Sequence, residues 1–73
     1  MRLKCKLRVI LAEREIRQKE FSTIIGISQT TMSSLVNNTT LPSFLTAYKI
    51  AKELKLHMEE IWIEDIEEEN ENV

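Results

Sequence analysis

Gln18-Lys19-Glu20-Phe21-Ser22-Thr23-Ile24-Ile25-Gly26-Ile27-Ser28-Gln29-Thr30-Thr31-Met32-Ser33-Ser34-Leu35-Val36 is the stretch that decides the fold. Its first part predicts a helix over Gln18–Ile25 that buries Phe21, Ile24 and Ile25. Gly26, the single glycine of the chain, suits the left-handed residue that ends a helix. Ser28 is a natural N-cap for a second helix, because its hydroxyl can accept from an otherwise unpaired backbone N–H. In that second helix Met32, Leu35 and Val36 fall on one face, which turns Gln29, Thr30, Ser33 and Ser34 outward. Ser22 is small enough to let the two helices approach, and Ile27 seals their joint apolar face.

Outward from this unit, residues 1–9 alternate. Odd positions are apolar (Met1, Leu3, Cys5, Leu7, Val9) and even ones basic (Arg2, Lys4, Lys6, Arg8), the period of a strand. Leu7, Ile10, Leu11 and Arg14 overlay a helical spacing, so a short strand runs into a first helix over about residues 6–14. Downstream, Asn37-Asn38-Thr39-Thr40-Leu41-Pro42 reads as a loop. A fourth helix begins near Ser43 and is expected to bury Phe44, Ala47, Tyr48, Ala51 and Leu54. A short fifth helix follows His57, capped in part by Glu60, and sets Met58, Ile61 and Trp62 against the core. The strand-like residues 1–6 are expected to pair with residues 61–65, within one subunit or across a dimer, with Lys4 or Lys6 near Glu64 or Glu60.

Charge separates the chain into two parts that the net value of −2 conceals. Residues 1–58 carry all ten Lys/Arg against four Glu, a balance of +6, and residues 59–73 carry eight acidic side chains and no basic one. A basic body suits a polyanionic partner. Cys5 is alone, which excludes an internal disulfide and fits a reducing cytoplasm; its place in the apolar alternation makes it a packing residue. With one His and one Cys no zinc site is expected, and no cofactor. Val9-Ile10-Leu11-Ala12 is far too short to span a membrane. No arrangement of nucleophile, base and oxyanion donors is present, so an enzyme is not expected.

Helix, a turn of about three residues and helix make the helix-turn-helix pattern, whose second helix fits the major groove of DNA. The run from Ile16 to Ser28 resembles the "LTQEELAEKLGVS" signature of the Cro/repressor-type, lambda-repressor-like family of transcriptional regulators. The likeness continues through Ser28 to Leu35, Pro42-Ser43-Phe44 and Lys49-Ile50-Ala51-Lys52. It ends with Leu56 to Trp62, which is similar to "VSLDELF", and covers roughly residues 6–62.

The resemblance implies an all-α, five-helix domain. With the minor two-stranded ribbon expected from the alternating terminal segments, the domain spans residues 1–66. Residues 67–73, with four Glu and one apolar residue, are expected from composition to be an acidic, disordered tail. The resemblance implies base contacts from Gln29, Thr30, Ser33 and Ser34. Phosphate contacts are expected from Gln18, Arg17, Lys19, Arg14 and Asn37. The function implied is repression by a cytoplasmic homodimer on double-stranded operator DNA, with no membrane partner and no small-molecule effector evident. The dimer is expected to form through helix 5 and exposed parts of Ile61, Trp62, Ile63 and Ile66. Three positions depart from the family pattern: Arg17 stands where a Thr cap is usual, and Asn38 and Lys55 where Gly is usual. Residues 26–48 hold no charge at all. That neutral stretch keeps a second reading open, a protein-interaction module or antitoxin-like subunit with little DNA affinity of its own.

Overall fold

The computed structural model of the protein describes residues 2–65. Its element order is β1 (Leu3–Cys5), α1 (Leu7–Glu13), α2 (Gln18–Ile25), α3 (Gln29–Val36), α4 (Phe44–Leu54), α5 (Met58–Ile61) and β2 (Trp62–Glu64). Five helices and a two-stranded antiparallel ribbon are what the sequence predicts. The expected tail, residues 67–73, lies outside the described residues, as does Ile66.

Each of the first four helices ends through a left-handed residue, although the chain owns one glycine. Glu15 (φ 56°), Gly26 (φ 86°), Asn38 (φ 61°) and Lys55 (φ 59°) fill these positions. Around them the chain turns back to satisfy the last carbonyls of the helix. The N–H groups of Ile16, Ile27, Thr39 and Leu56 donate to the carbonyls of Leu11, Ser22, Ser34 and Ala51, at 2.9–3.0 Å. For a side chain other than Gly or Asn this conformation costs on the order of 1 kcal/mol. Asn38 and Lys55 are the two positions where the family pattern has Gly; Glu15 is one the sequence reading did not single out.

The core joins all the helices: Leu7 and Leu11 of α1, Phe21 and Ile25 of α2, Met32, Leu35 and Val36 of α3, Ile50 and Leu54 of α4, and Ile61. Trp62 closes it from β2, and Cys5 and Met58 pack against its edge. Three expected core residues are instead on the surface: Ile24 is 57 % exposed, Phe44 77 % and Tyr48 49 %. In α2 Phe21, Ser22 and Ile25 share the buried arc, and at about 100° per residue Ile24 lies roughly 60° outside it. In α4 the buried stripe is Ala47, Ile50, Ala51 and Leu54, and Phe44 and Tyr48 form a second apolar stripe beside it.

The ribbon pairs Leu3 with Glu64, Lys4 with Ile63 and Cys5 with Trp62. Lys4 therefore faces Ile63, and the expected partnership of Lys4 with Glu64 does not form across the strands. Trp62 sets this register, since its ring must lie on the core side together with Cys5. Two backbone bonds flank the ribbon, from Lys6 N–H to the Ile61 carbonyl (2.7 Å) and from Asp65 N–H to the Arg2 carbonyl (2.8 Å).

Candidate nucleic-acid interface

α2, a three-residue turn and α3 form the unit that carries the site. At its joint, Ser22 is buried and its hydroxyl donates to the Lys19 carbonyl at 2.7 Å, so the polar atom is satisfied inside the contact. Ser28 caps α3: its Oγ accepts from the Thr31 N–H at 3.1 Å and lies 2.9 Å from the Thr31 hydroxyl. These two hydroxyls serve the helix end. The side chains left to face a partner begin at Gln29 and Thr30.

Gln29 and Thr30 are exposed in the first turn of α3, and Ser33 and Ser34 are half-buried one turn later. With Asn37 at the end of the helix they occupy an arc of roughly 140° at about 100° per residue. The opposite arc holds Met32, Leu35 and Val36. Asn37 donates through Nδ2 to the Ser33 hydroxyl at 3.3 Å, linking the end of α3 to its middle.

At the head of α2, Arg17 is the N-cap in an extended conformation and offers no side-chain hydrogen bond to the first turn. The N–H groups there keep their partial positive charge, and Arg17, Gln18 and Lys19 surround them, all exposed.

A family model, the Cro/C1-type HTH DNA-binding domain, matches residues 6–65. The chain belongs to this family. No curated protein matches it. As a Cro/C1-type domain its partner is DNA, and α3 is the helix the fold offers to the major groove.

Two arginines of this Cro/C1-type domain behave in ways that local sequence does not announce. Arg14, expected at a phosphate, donates from its guanidinium to the Leu54 carbonyl at 2.7 Å, where it satisfies the C-terminal end of α4. Arg8, which the sequence reading left out of the site, reaches from α1 to donate to Asn37 Oδ1. It thereby brings a cation to the end of an α3 that has none. The one hint in the sequence is that Arg8 belongs to the basic register of residues 1–9, and that pattern says nothing of α3.

Cys5 is half-buried, and burial pushes its thiol above the ordinary pKa, with a backbone hydrogen bond from Leu7 opposing more weakly. A thiol held protonated is a poor nucleophile or metal ligand. Among the described residues no group of three or more His, Cys, Asp or Glu side chains could hold a metal ion, and no helix is long and apolar enough to cross a membrane.

Proposed function

We propose that the protein is a sequence-specific transcriptional regulator that represses by occupying operator DNA as a homodimer. The observation that carries this reading is the exposed, uncharged polar arc of α3, with Gln29 in its first turn and cations from other elements at its margins. Gln29 reads a base, since its side-chain amide can bond adenine N6 and N7 together. Thr30, Ser33 and Ser34 supply single hydrogen bonds or a methyl contact. Gln18, Arg17 and Lys19 hold phosphate at the head of α2, where the free N–H groups and the helix dipole favour an anion. Asn37 and Arg8 hold a second phosphate at the far end of α3. Arg14, turned to the Leu54 carbonyl, takes no phosphate in this reading.

The test is enrichment of random duplex DNA at low salt followed by sequencing. The expected product is a two-fold symmetric site with half-sites about one helical turn apart. A second reading, a protein-interaction module, is favoured by the neutral 26–48 stretch and by the exposed Leu41, Phe44, Leu45 and Tyr48. Enrichment of no sequence at any salt concentration replaces the first reading with the second.

A further inference from the structure

Of the surface expected to pair two copies, Ile61 is fully buried, Trp62 is 8 % exposed and Ile63 is 37 % exposed. The more exposed apolar side chains of α4 and the loop before it lie elsewhere. Phe44 and Tyr48, one turn apart on α4, form a stripe, and Leu41 and Leu45, each 62 % exposed, lie close to them in sequence. A cluster of large exposed apolar groups on a chain this small marks a contact surface. It carries no cation between Leu41 and Tyr48, so DNA phosphate is not its complement.

Two shallow grooves adjoin this stripe and share Met58. One is lined by Leu3, Leu41, Pro42, Phe44 and Trp62, with Glu59 at its edge. The other is lined by Tyr48, Lys52, Leu56 and His57, with the Lys52 ammonium 5.8 Å from the centre of the Tyr48 ring. Thus an anion belongs to the groove on one side of Met58 and a cation to the groove on the other. Among the described residues Trp62 Nε1 is a buried donor without an acceptor.

We propose that this face, centred on Met58, is where a second copy of the chain docks. A two-fold axis near Met58 lays the Tyr48–Lys52 groove of each copy on the Phe44–Glu59 groove of the other. Lys52 then meets Glu59 twice, as an isologous contact requires. Phe44, with most of its ring in water, becomes the anchor that fills the opposing groove. The inference deepens the homodimer part of the proposed function by naming its surface, and it is tested without DNA.

Sedimentation equilibrium of the full chain should show a dimer at about 50 µM, as expected for a reversible association. Phe44→Glu should weaken the dimer at least about thirty-fold, since both copies lose a buried aromatic anchor. Its thermal unfolding, followed on the monomer at low concentration, should be unchanged. Lys52→Glu and Glu59→Lys should each weaken pairing about five-fold, and the double exchange should restore it to within about two-fold. A wild-type chain that stays monomeric at that concentration overturns the proposal, whether the patch is idle or meets a different protein. So does a Phe44→Glu dimer of wild-type strength, or a double exchange that fails to rescue. If the dimer and the rescue are found but no DNA sequence is enriched, the surface stands and the repressor reading falls. If DNA is bound by a chain monomeric in its absence, the surface falls and DNA binding stands.

Discussion

Arg8→Ala probes the cation that the fold brings to α3. Arg8 is exposed on the first turn of α1, and its guanidinium holds Asn37 Oδ1, while Asn37 Nδ2 reaches Ser33. With Arg14 turned to Leu54, the cations assigned to phosphate at the ends of α2 and α3 are Arg8, Arg17 and Lys19, three per subunit and six per dimer. Each phosphate neutralised contributes about 0.9 to the slope of log affinity against log salt, so the wild-type slope should be about −5.4 and that of Arg8→Ala, which removes two cations per dimer, about −3.6. Between about 50 and 200 mM salt the wild type should then lose on the order of 2,000-fold in affinity and the variant on the order of 150-fold. The assay is fluorescence anisotropy with the enriched duplex and a scrambled one at five or so salt concentrations. Both duplexes should lose affinity alike, because a phosphate contact carries no sequence information. Arg8→Lys should keep the slope but bind more weakly, since an ammonium lacks the planar fork that can engage Asn37 and a phosphate together. The unfolding free energy of Arg8→Ala should stay within about 0.5 kcal/mol of wild type, as for other exposed positions. An unchanged slope refutes the reasoning and leaves Arg8 as a purely structural partner of Asn37.

Arg14→Ala should do the reverse, lowering stability by about 1 kcal/mol for the lost bond to the Leu54 carbonyl while leaving the salt slope alone; thermal melts and the same titration separate the two. Gln29→Ala should cost about 1–3 kcal/mol on the cognate duplex, relax preference at one position per half-site and leave the melting temperature unchanged. Lys55→Gly should stabilise the fold by about 1 kcal/mol in denaturant titration, because the lysine is held at a φ of 59° that glycine adopts freely. Cys5, whose thiol pKa is raised above 9.0, keeps in the folded state a proton that the unfolded chain gives up. Stability should therefore be insensitive to this group below pH 9.0 and fall as the pH rises past it, a loss that Cys5→Ala should remove when the two alkaline denaturation curves are compared.

The helix boundaries of the α2–α3 unit were legible because they rest on local chemistry: Gly26 for a left-handed turn, Ser28 for a cap, and Met32, Leu35 and Val36 for the side that must be buried. α4 was legible as a helix but not as a face. It carries apolar residues on two adjacent stripes, and the small Ala47 and Ala51 mark the buried one only after a neighbouring helix has come close. Periodicity alone does not choose between them. The ribbon was visible as an alternation, yet its register depends on where the Trp62 ring fits, a property of the finished core. The electrostatics of the site were the least legible. Arg8 and Asn37 lie 29 residues apart and Arg14 and Leu54 lie 40 apart, and no local pattern encodes such meetings. The neutral sequence of residues 26–48 therefore understated the charge that the fold assembles around α3.

The ribbon joins residues about sixty positions apart in the chain, through strands of three residues each. Closing so long a loop loses much chain entropy, while the α2–α3 joint closes over a handful of residues. The helical unit should thus form early in folding and the ribbon late, and in the native ensemble the ribbon should be the first part to open. Leu3 and Trp62, which it clips together, are also two walls of the groove beside Phe44. Opening the ribbon dismantles that groove, so any occupant of the groove acts as a latch on the strands and slows hydrogen exchange at Lys6 and Asp65, whose N–H groups close the ribbon's two ends.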